Sequence, residues 1–156
     1  MTEPAERKLV ATHRKARFEY EILETVEAGI ALLGPEVKSL RAGNASLVDA
    51  YAVVRRGEVF LVNAHISPYT QASRENADPK RERKLLLHRS EIARLAAKVA
   101  ERGLTLVPLQ LYFKEGWAKV ELGLGKGRTH EDRRDAIAER ESKREMDRAL
   151  GRARKR

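Results

Sequence analysis

The side chains of this chain that could do chemistry are above all its Lys and Arg residues, and the chemistry they favour is anion binding. The sequence holds 32 Lys and Arg against 23 Asp and Glu, a net charge of +9. Residues 125–156 alone carry 12 Lys and Arg against 7 acids, a net of +5, which is more than half of the excess. Because each cation near a phosphate releases a condensed counterion, this distribution predicts a polyanionic partner.

Residue types that support other chemistry are absent or scattered. The sequence has no Cys, which excludes disulfides, thiolate metal sites and thiol nucleophiles and fits a reducing compartment. Its four His stand at positions 13, 65, 88 and 130, so no pair has the spacing of metal ligands on a helix. No acidic cluster stands at the end of a predicted strand. We therefore expect no catalytic residue, no metal and no cofactor, and a metal-dependent nuclease is a disfavoured alternative.

A membrane partner is disfavoured as well. No apolar run approaches the length of a spanning helix, and the basic C-terminal part lacks the bulky apolar face of an interfacial helix. Residues 1–10 lack the apolar core of a secretory signal. We expect a cytoplasmic protein that binds nucleic acid.

The elements that must position these side chains can be predicted from periodicity. Apolar residues alternate from Phe18 to Leu32, which predicts a long strand with one wet face, bent near Gly29. A short helix is expected from Gly34 to about Gly43, with Val37 and Leu40 turned to the core. The other predicted elements are a hairpin over 51–54 and 58–62, a helix over 90–102, and a hairpin over 104–113 and 118–124.

These elements favour a mainly β fold: a small closed β-barrel with two or three flanking short helices, since closure removes exposed strand edges. Residues 13–125 form the expected body, after a flexible extension at 1–12 and before a basic tail at 126–156. Phe113 and Trp117 are expected to pack in the core or at the turn.

The tail has helix propensity but little apolar surface. Its apolar stripe is limited to Met146, Ala149, Leu150 and Ala153, with Ile137 on the far side. Such a helix cannot offset its own ordering entropy. We expect the tail to be disordered when free and helical when bound.

Nine short motifs follow one another along the chain. They are RKAR at 14–17, EAGI at 27–30, EVKSLRAG at 36–43, DAY at 49–51, DP at 78–79, RKLLL at 83–87, KGR at 126–128, DRR at 132–134 and ERE at 139–141. Each is weak alone. Together they resemble one bacterial family, the SsrA-binding proteins (SmpB), from about residue 13 to the end.

The resemblance implies an oligonucleotide-binding-type barrel and a role in trans-translation, the rescue of stalled ribosomes with peptide tagging. It implies that the body binds the transfer-RNA-like domain of transfer-messenger RNA (SsrA RNA), one copy per RNA. The tail then enters the decoding site and the empty mRNA channel of the 70S ribosome, without catalysis. DNA is not an expected partner. A ribosomal or generic single-stranded RNA-binding barrel is the alternative.

The resemblance also assigns site residues. Glu27 and Leu86 are expected to contact RNA, the carboxylate as an acceptor for base amino groups and the leucine beneath an unstacked base. His88 and His13 stand where the family often has Asn, and a helix-start role competes with RNA contact for His88. The expected RNA-binding set is Lys15, Arg17, Glu27, Lys38, Arg41, Asn44, Arg83, Lys84, Leu86 and His88. The competing interpretations are solvated surface charge for any one cation and core packing for the leucines.

The tail supplies the expected ribosome contacts. Lys126, Arg128, Arg133 and Arg134 form the hinge between body and tail, with His130 near a position where the family often has a stacking side chain. The expected set is Lys126, Arg128, His130, Asp132, Arg133, Arg134, Arg140, Lys143, Arg144, Met146, Arg148 and Leu150. Gly123, Gly125 and Gly127 resemble a phosphate loop only superficially, because no Lys-Ser/Thr follows.

Overall fold

The computed structural model describes residues 6–69, 78–128 and 130–154 of the chain. Within them the fold is mainly β, as expected. The strands are Arg7–Thr12 (β1), Tyr20–Ile30 (β2), Ala45–Ser46 (β3), Tyr51–Arg55 (β4), Glu58–Val62 (β5), His65–Ile66 (β6), Arg83–Leu86 (β7), Thr105–Lys114 (β8) and Trp117–Gly127 (β9). The helices are Ala16–Glu19 (α1), Gly34–Arg41 (α2), Arg89–Arg102 (α3) and His130–Arg154 (α4).

Seven strands form one antiparallel sheet in the order β1-β8-β4-β5-β7-β2-β9, and β8 also pairs with β9. β9 runs along one edge of β8, while β1 and β4 share the opposite edge. The link between β4 and β8 is narrow, with Ala52 opposite Leu106, whereas β2 and β9 pair over most of their length. The order of pairings therefore returns to β8. Strands β3 and β6 form a separate small sheet.

The main core lies on one side of these strands because their apolar residues alternate. In β9, Val120, Leu122 and Leu124 are buried, while Trp117 and Lys119 point to the other side. Leu40 of α2 and Leu95 of α3 are among the buried residues that join this core. The predicted apolar face of α2 is thus confirmed, since Val37 also packs against this core.

A second, smaller core packs beneath α1. It contains Ala16, Val107 and Leu109, with Ile22 partly buried against them. A Cβ atom on Gly123 would lie 3.0 Å from Leu109 Cδ1 and 3.1 Å from Ile22 Cγ2. Gly123 therefore serves close packing within β9 rather than phosphate binding.

Both predicted hairpins are confirmed. β4 and β5 join through Arg56 and Gly57, and β8 and β9 join through Glu115 and Gly116. All four turn residues have positive φ, between 51° and 83°, as two-residue turns matched to strand twist require. The helices predicted over 34–43 and 90–102 are α2 and α3.

The start of the first long strand differs from the prediction. Residues 16–19 form α1, and β2 begins at Tyr20 instead of Phe18. The irregularity in its pairing lies between Ile22 and Glu24, where Leu23 is an extra, exposed residue, and pairing continues regularly through Gly29. A bulge of this kind shifts the alternation, which the apolar pattern alone does not locate.

Two expected boundaries also move. Residues 7–12, assigned to a flexible extension, form β1 and pair with β8, because backbone hydrogen bonds can hold a strand whose side chains are mostly exposed. The boundary expected after residue 125 falls inside β9, since Lys126 lies opposite Glu21 and Gly127 opposite Tyr20.

A buried ion pair joins α2 to β7. Arg83 Nε donates to Glu36 Oε2 at 2.7 Å, and the Arg83 side chain is fully buried. Its remaining donors reach the carbonyl oxygens of Ala64 at 2.8 Å and Pro79 at 3.0 Å. Arg81 Nη2 donates to the other carboxylate oxygen of Glu36 at 2.5 Å. Since each charge is satisfied by several partners, the pair can exist inside the core.

The pKa of Glu36 follows from this surrounding. Burial by itself would raise the pKa, but the hydrogen bonds from Arg81, the Leu33 amide and Arg83 outweigh burial and lower it below the ordinary 4.5. A carboxyl whose folded-state pKa is depressed stabilises the fold above its unfolded pKa. That stability is lost as the pH falls through the folded-state pKa.

Replacing Glu36 should therefore destabilise the fold strongly at neutral pH. We expect Glu36→Gln to lower the free energy of unfolding by about 3–5 kcal/mol at pH 7, because it leaves Arg83 buried and uncompensated. Urea unfolding at pH 7 and below pH 4.5 measures this, and the difference between variant and wild type should shrink in acid. Glu82→Gln is the matched control, because its partner Arg55 is exposed and we expect less than about 1 kcal/mol. Equal losses for both variants would contradict a buried pair.

Candidate nucleic-acid interface

Glu27 lies on β2, on the side of the sheet that faces away from the core, opposite Glu121 of β9. Its Oε2 accepts a hydrogen bond of 2.6 Å from the Tyr112 hydroxyl, and Lys114 Nζ lies 3.5 Å from the same oxygen. Within the described residues, Oε1 has no hydrogen-bond donor, and 30% of the side chain is exposed. Glu27 is thus a fixed carboxylate with one oxygen open to a ligand.

The charges around Glu27 keep it ionised. Burial alone would raise its pKa, but the Tyr112 hydrogen bond and the positive charges of Lys114 and Lys119 lower it. Burial and the bond to Glu27 raise the pKa of the Tyr112 hydroxyl. At neutral pH Tyr112 is therefore a donor and Glu27 an acceptor, which suits base amino groups.

Arg7 of β1 completes this network. Its guanidinium lies 4.3 Å from the centroid of the Tyr112 ring, and its Nη1 donates to Glu121 at 2.7 Å. It also lies 3.9 Å from Glu27 Oε2. Arg7 therefore separates two neighbouring carboxylates and covers the tyrosine ring.

The three consecutive leucines differ in their exposure. Leu85 is buried, Leu87 packs partly against the core, and Leu86 is 53% exposed. Leu86 lies opposite Gly29 of β2, where a Cβ atom would come within 3.2 Å of Leu86 Cβ. The absence of a side chain at Gly29 thus leaves room for Leu86 on the outer face. Glu27 and Leu86 are brought together on this face by the pairing of β7, β2 and β9.

A cavity of about 490 Å³ opens beside Leu86. Among its lining residues are Gly29, Leu86, Phe113, Trp117 and Lys119. Phe113 is buried, as expected, but Trp117 is 71% exposed, so the expectation that it packs in the core or turn is wrong. Its position just after a tight turn leaves the ring on the outer face, away from the core.

Lys84 and His88 flank Leu86. Lys84 Nζ lies 3.1 Å from Glu58 Oε1, and both side chains are exposed. His88 precedes α3, where its backbone N–H donates to Glu91 Oε1 at 3.2 Å and its carbonyl accepts from Ile92. The backbone thus fulfils the helix-start role, and the exposed residue keeps its ring near the surface.

The α2 cations lie on aromatic rings. Lys38 Nζ is 5.4 Å from the centroid of Tyr69, and the Arg41 guanidinium is 4.9 Å from that of Phe113. Both cations and Asn44 are exposed. Because Phe113 also lines the cavity beside Leu86, Arg41 lies next to that cavity.

Lys15 and Arg17 lie apart from this face, at the start of α1 and within it, and both are exposed. Lys15 lines a second cavity, of about 750 Å³, with residues that include His13 and Tyr51. The His13 ring nitrogen Nδ1 lies 3.0 Å from the Pro108 carbonyl oxygen. These residues therefore form a separate basic region.

The position of Arg83 contradicts its expected role. The sequence assigned it to RNA binding, but its side chain is fully buried and held by Glu36 and backbone carbonyls. A phosphate cannot reach a guanidinium whose donors face the core. Its neighbour Lys84 points outward, as alternation in β7 requires.

Most of the basic tail forms helix α4, and α4 contacts α1. Lys126 belongs to β9, and the Arg128 amide donates to the Glu19 carbonyl at 2.8 Å. Met146 and Leu150 are 65% and 57% exposed. The expected contacts Arg134, Arg140, Lys143, Arg144 and Arg148 are exposed too. The side chains of His130, Asp132 and Arg133 lie outside the described residues.

The sequence missed Tyr112, Lys114 and Arg7. Strict alternation in the predicted strand 104–113 could have placed Tyr112 on the outer face of the sheet, because its neighbours Leu111 and Phe113 both enter the core. On that face Tyr112 is itself fully buried beneath Arg7. Its bond to Glu27 depends on the pairing of three strands, which no local pattern contains. For Lys114 and Arg7, the sequence offers only their charge as an indication of this role.

The described residues contain neither a candidate metal site nor a candidate membrane-spanning helix. No group of three or more His, Cys, Asp or Glu side chains among them could hold a metal ion. None of the helices in that part of the chain has the length and apolar character of a membrane span.

A family model, curated relatives and a solved structure all match this chain and point to one family. A family model described as SmpB protein matches residues 10–152. An SsrA-binding protein of Anaeromyxobacter dehalogenans (strain 2CP-C) is 60% identical over 152 residues, covering 97% of this chain and 93% of the relative. That of Salinispora arenicola (strain CNS-205) is 59% identical over 146 residues, covering 94% and 92%.

A solved structure is similar as well. It is described as "tmRNA-SmpB: a journey to the center of the bacterial ribosome", and one of its chains is 50% identical to this one with a TM-score of 0.64. The match covers 86% of this chain and 95% of that one. The resemblance carried by the short motifs therefore extends over nearly the whole sequence, and the chain belongs to the SmpB protein family.

Proposed function

We propose that this protein binds the transfer-RNA-like domain of transfer-messenger RNA and delivers it to stalled ribosomes for trans-translation. The observation that carries the proposal is the outer face of β2 and β7, where the exposed Leu86 lies opposite Gly29, one outward position along β2 from Glu27. RNA loops are recognised through unstacked bases, which need an apolar surface and a hydrogen-bond acceptor. Membership in a family whose relatives are named SsrA-binding proteins supports the identity of the RNA.

The body, residues 13–125 with β1 added, is proposed to be a closed barrel of the oligonucleotide-binding type. In support, β8 pairs with both β4 and β9, so that the order of pairings returns to β8. Barrels of this type bind nucleic acid on their outer surface and mouth loops. The role needs no catalytic residue, since recognition and delivery involve no bond making.

The tail, residues 126–156, is proposed to occupy the decoding site and the empty mRNA channel of the ribosome. Its exposed cations suit an RNA-lined channel, and its exposed Met146 and Leu150 would pack there. Because this stripe is solvated in the isolated chain, the helix gains little from packing on its own body. The tail is therefore proposed to be disordered when free and helical when bound.

Truncating the two central side chains should weaken RNA binding without unfolding the body. We expect Leu86→Ala and Glu27→Ala each to raise the Kd for the transfer-RNA-like domain roughly tenfold, as loss of about 1.4 kcal/mol implies. Gel shift at fixed salt measures the effect. Leu23→Ala is the matched control, because Leu23 is similarly exposed on β2 but stands at the bulge. Unchanged affinity of both site variants would contradict the proposal.

Deleting the helix should separate binding from tagging. We expect removal of residues 130–156 to spare most RNA affinity, since β9 keeps its pairing with β2, and to abolish peptide tagging on stalled ribosomes. The double substitution Met146→Ser and Leu150→Ser should cause the same loss with every charge retained. Ile137→Ser, on the opposite helix face, is the control. Tagging by the truncated protein or by the double variant would contradict the proposed role of the tail.

Hydrogen exchange should report the order of the tail. We expect amides of residues 134–150 to exchange within seconds in the free protein, because a helix without packed apolar area opens readily. On the ribosome the same amides should be protected, while β9 is protected in both states. Mass spectrometry of exchanged peptides measures both. Strong protection of the tail in the free protein would refute this part of the proposal.

A further inference from the structure

Trp117 is the single tryptophan of the chain and is 71% exposed. It is the first residue of β9, directly after the turn from β8. A large aromatic side chain left in solvent forgoes the favourable burial that tryptophan gains in cores. Such exposure indicates a binding surface when the neighbouring groups also suit a ligand.

The strand register places Trp117 on the same face as Glu27 and Leu86. Along β9, Ala118 and Val120 point inward, so Trp117 and Lys119 point outward. Lys119 lies opposite Gly29 of β2, and Gly29 lies opposite Leu86 of β7. Trp117 is therefore one outward position further along β9 from this row.

The space between these side chains is an open cavity. Leu86 and Trp117 both line the volume of about 490 Å³ described above, with Gly29 and Lys119 among the other lining residues. This volume lies within the range of about 300–1,000 Å³ that small-ligand sites show. Within the described residues the Lys119 ammonium has no ion pair, although its charge acts on Glu27.

We propose that Trp117 is a stacking platform for an unpaired RNA base, next to the base that Leu86 and Glu27 contact. This inference rests on the proposed function and extends its binding site across β9 toward the hairpin turn. Lys119, between the two apolar side chains, then pairs with a phosphate of the same strand. One face thus holds two successive bases and the backbone that joins them.

A single-stranded RNA segment suits this surface better than a peptide does. Aromatic side chains stack on any base, and cations beside them follow the phosphates. The chain has a net charge of +9, and Lys119 and Arg41 adjoin the cavity, so an anionic ligand is favoured. Glu27 does not repel such a ligand strongly, because Tyr112 and Lys114 already bind it.

Intrinsic fluorescence tests the proposal directly, because all tryptophan emission comes from Trp117. Titrating the full-length protein with the transfer-RNA-like domain should quench this emission and protect it from acrylamide. A fully paired RNA stem of equal length is the control probe and should leave the emission unchanged. Binding seen by gel shift with unaltered emission would overturn the proposal while the proposed function stands. Absence of binding would overturn both.

Abasic scanning then identifies the partner base. We expect Trp117→Ala to weaken binding about 5- to 100-fold, as loss of one stacked base implies, and Trp117→Phe to restore most of it. One abasic substitution in the RNA should weaken wild-type binding equally but have no effect on Trp117→Ala. An abasic substitution at a different RNA position should weaken wild-type binding but have no effect on Leu86→Ala. If Trp117→Ala binds every abasic RNA with the same losses as wild type, the platform is refuted.

Discussion

Arg83 is an ionised side chain inside a core, and its partners come from three separate stretches of chain. Glu36 belongs to α2, Ala64 follows β5, and Pro79 precedes β7. Satisfying all the guanidinium donors at once requires these stretches to meet in one arrangement, because an unpaired buried charge is costly. This arrangement also positions exposed residues that lie next to Arg83 and Glu36 in the sequence. Leu86 is three positions beyond Arg83 on the same strand, and Lys38 is two beyond Glu36.

The outer face gains its character from the way its carboxylates are held. Glu27 and Glu121 lie opposite each other on adjacent strands and would repel one another without the cations between them. Arg7, Lys114 and the Tyr112 hydroxyl offset that repulsion and fix the orientation of Glu27. A ligand that uses the open oxygen therefore finds an acceptor that is already oriented, and little rotamer entropy is lost on binding.

Local pattern predicted most of the elements, and long-range contacts explain most of the differences. Apolar periodicity located α2, α3 and both hairpins, because each is defined by residues near one another in sequence. It failed at β1, where backbone pairing with β8 orders a mostly exposed segment, and at Leu23, where a bulge interrupts alternation. Within the candidate site, Leu86 is exposed, as the expected contact with RNA needs. The burial of Arg83 was missed, because nothing in the sequence indicated that this residue pairs with Glu36 of α2.

The end of β9 has a geometric consequence for the tail. The strand pairs with β2 as far as Gly127, and the Arg128 amide still bonds to Glu19. One residue then separates this anchored point from the first residue of α4, so the first turn of the helix, its root, stays close to the end of β9. With 25 residues, the helix when fully formed extends about 37 Å from that root. Wherever the body docks on a partner, a fully formed α4 can therefore bring its side chains only to surfaces within about that distance of the end of β9.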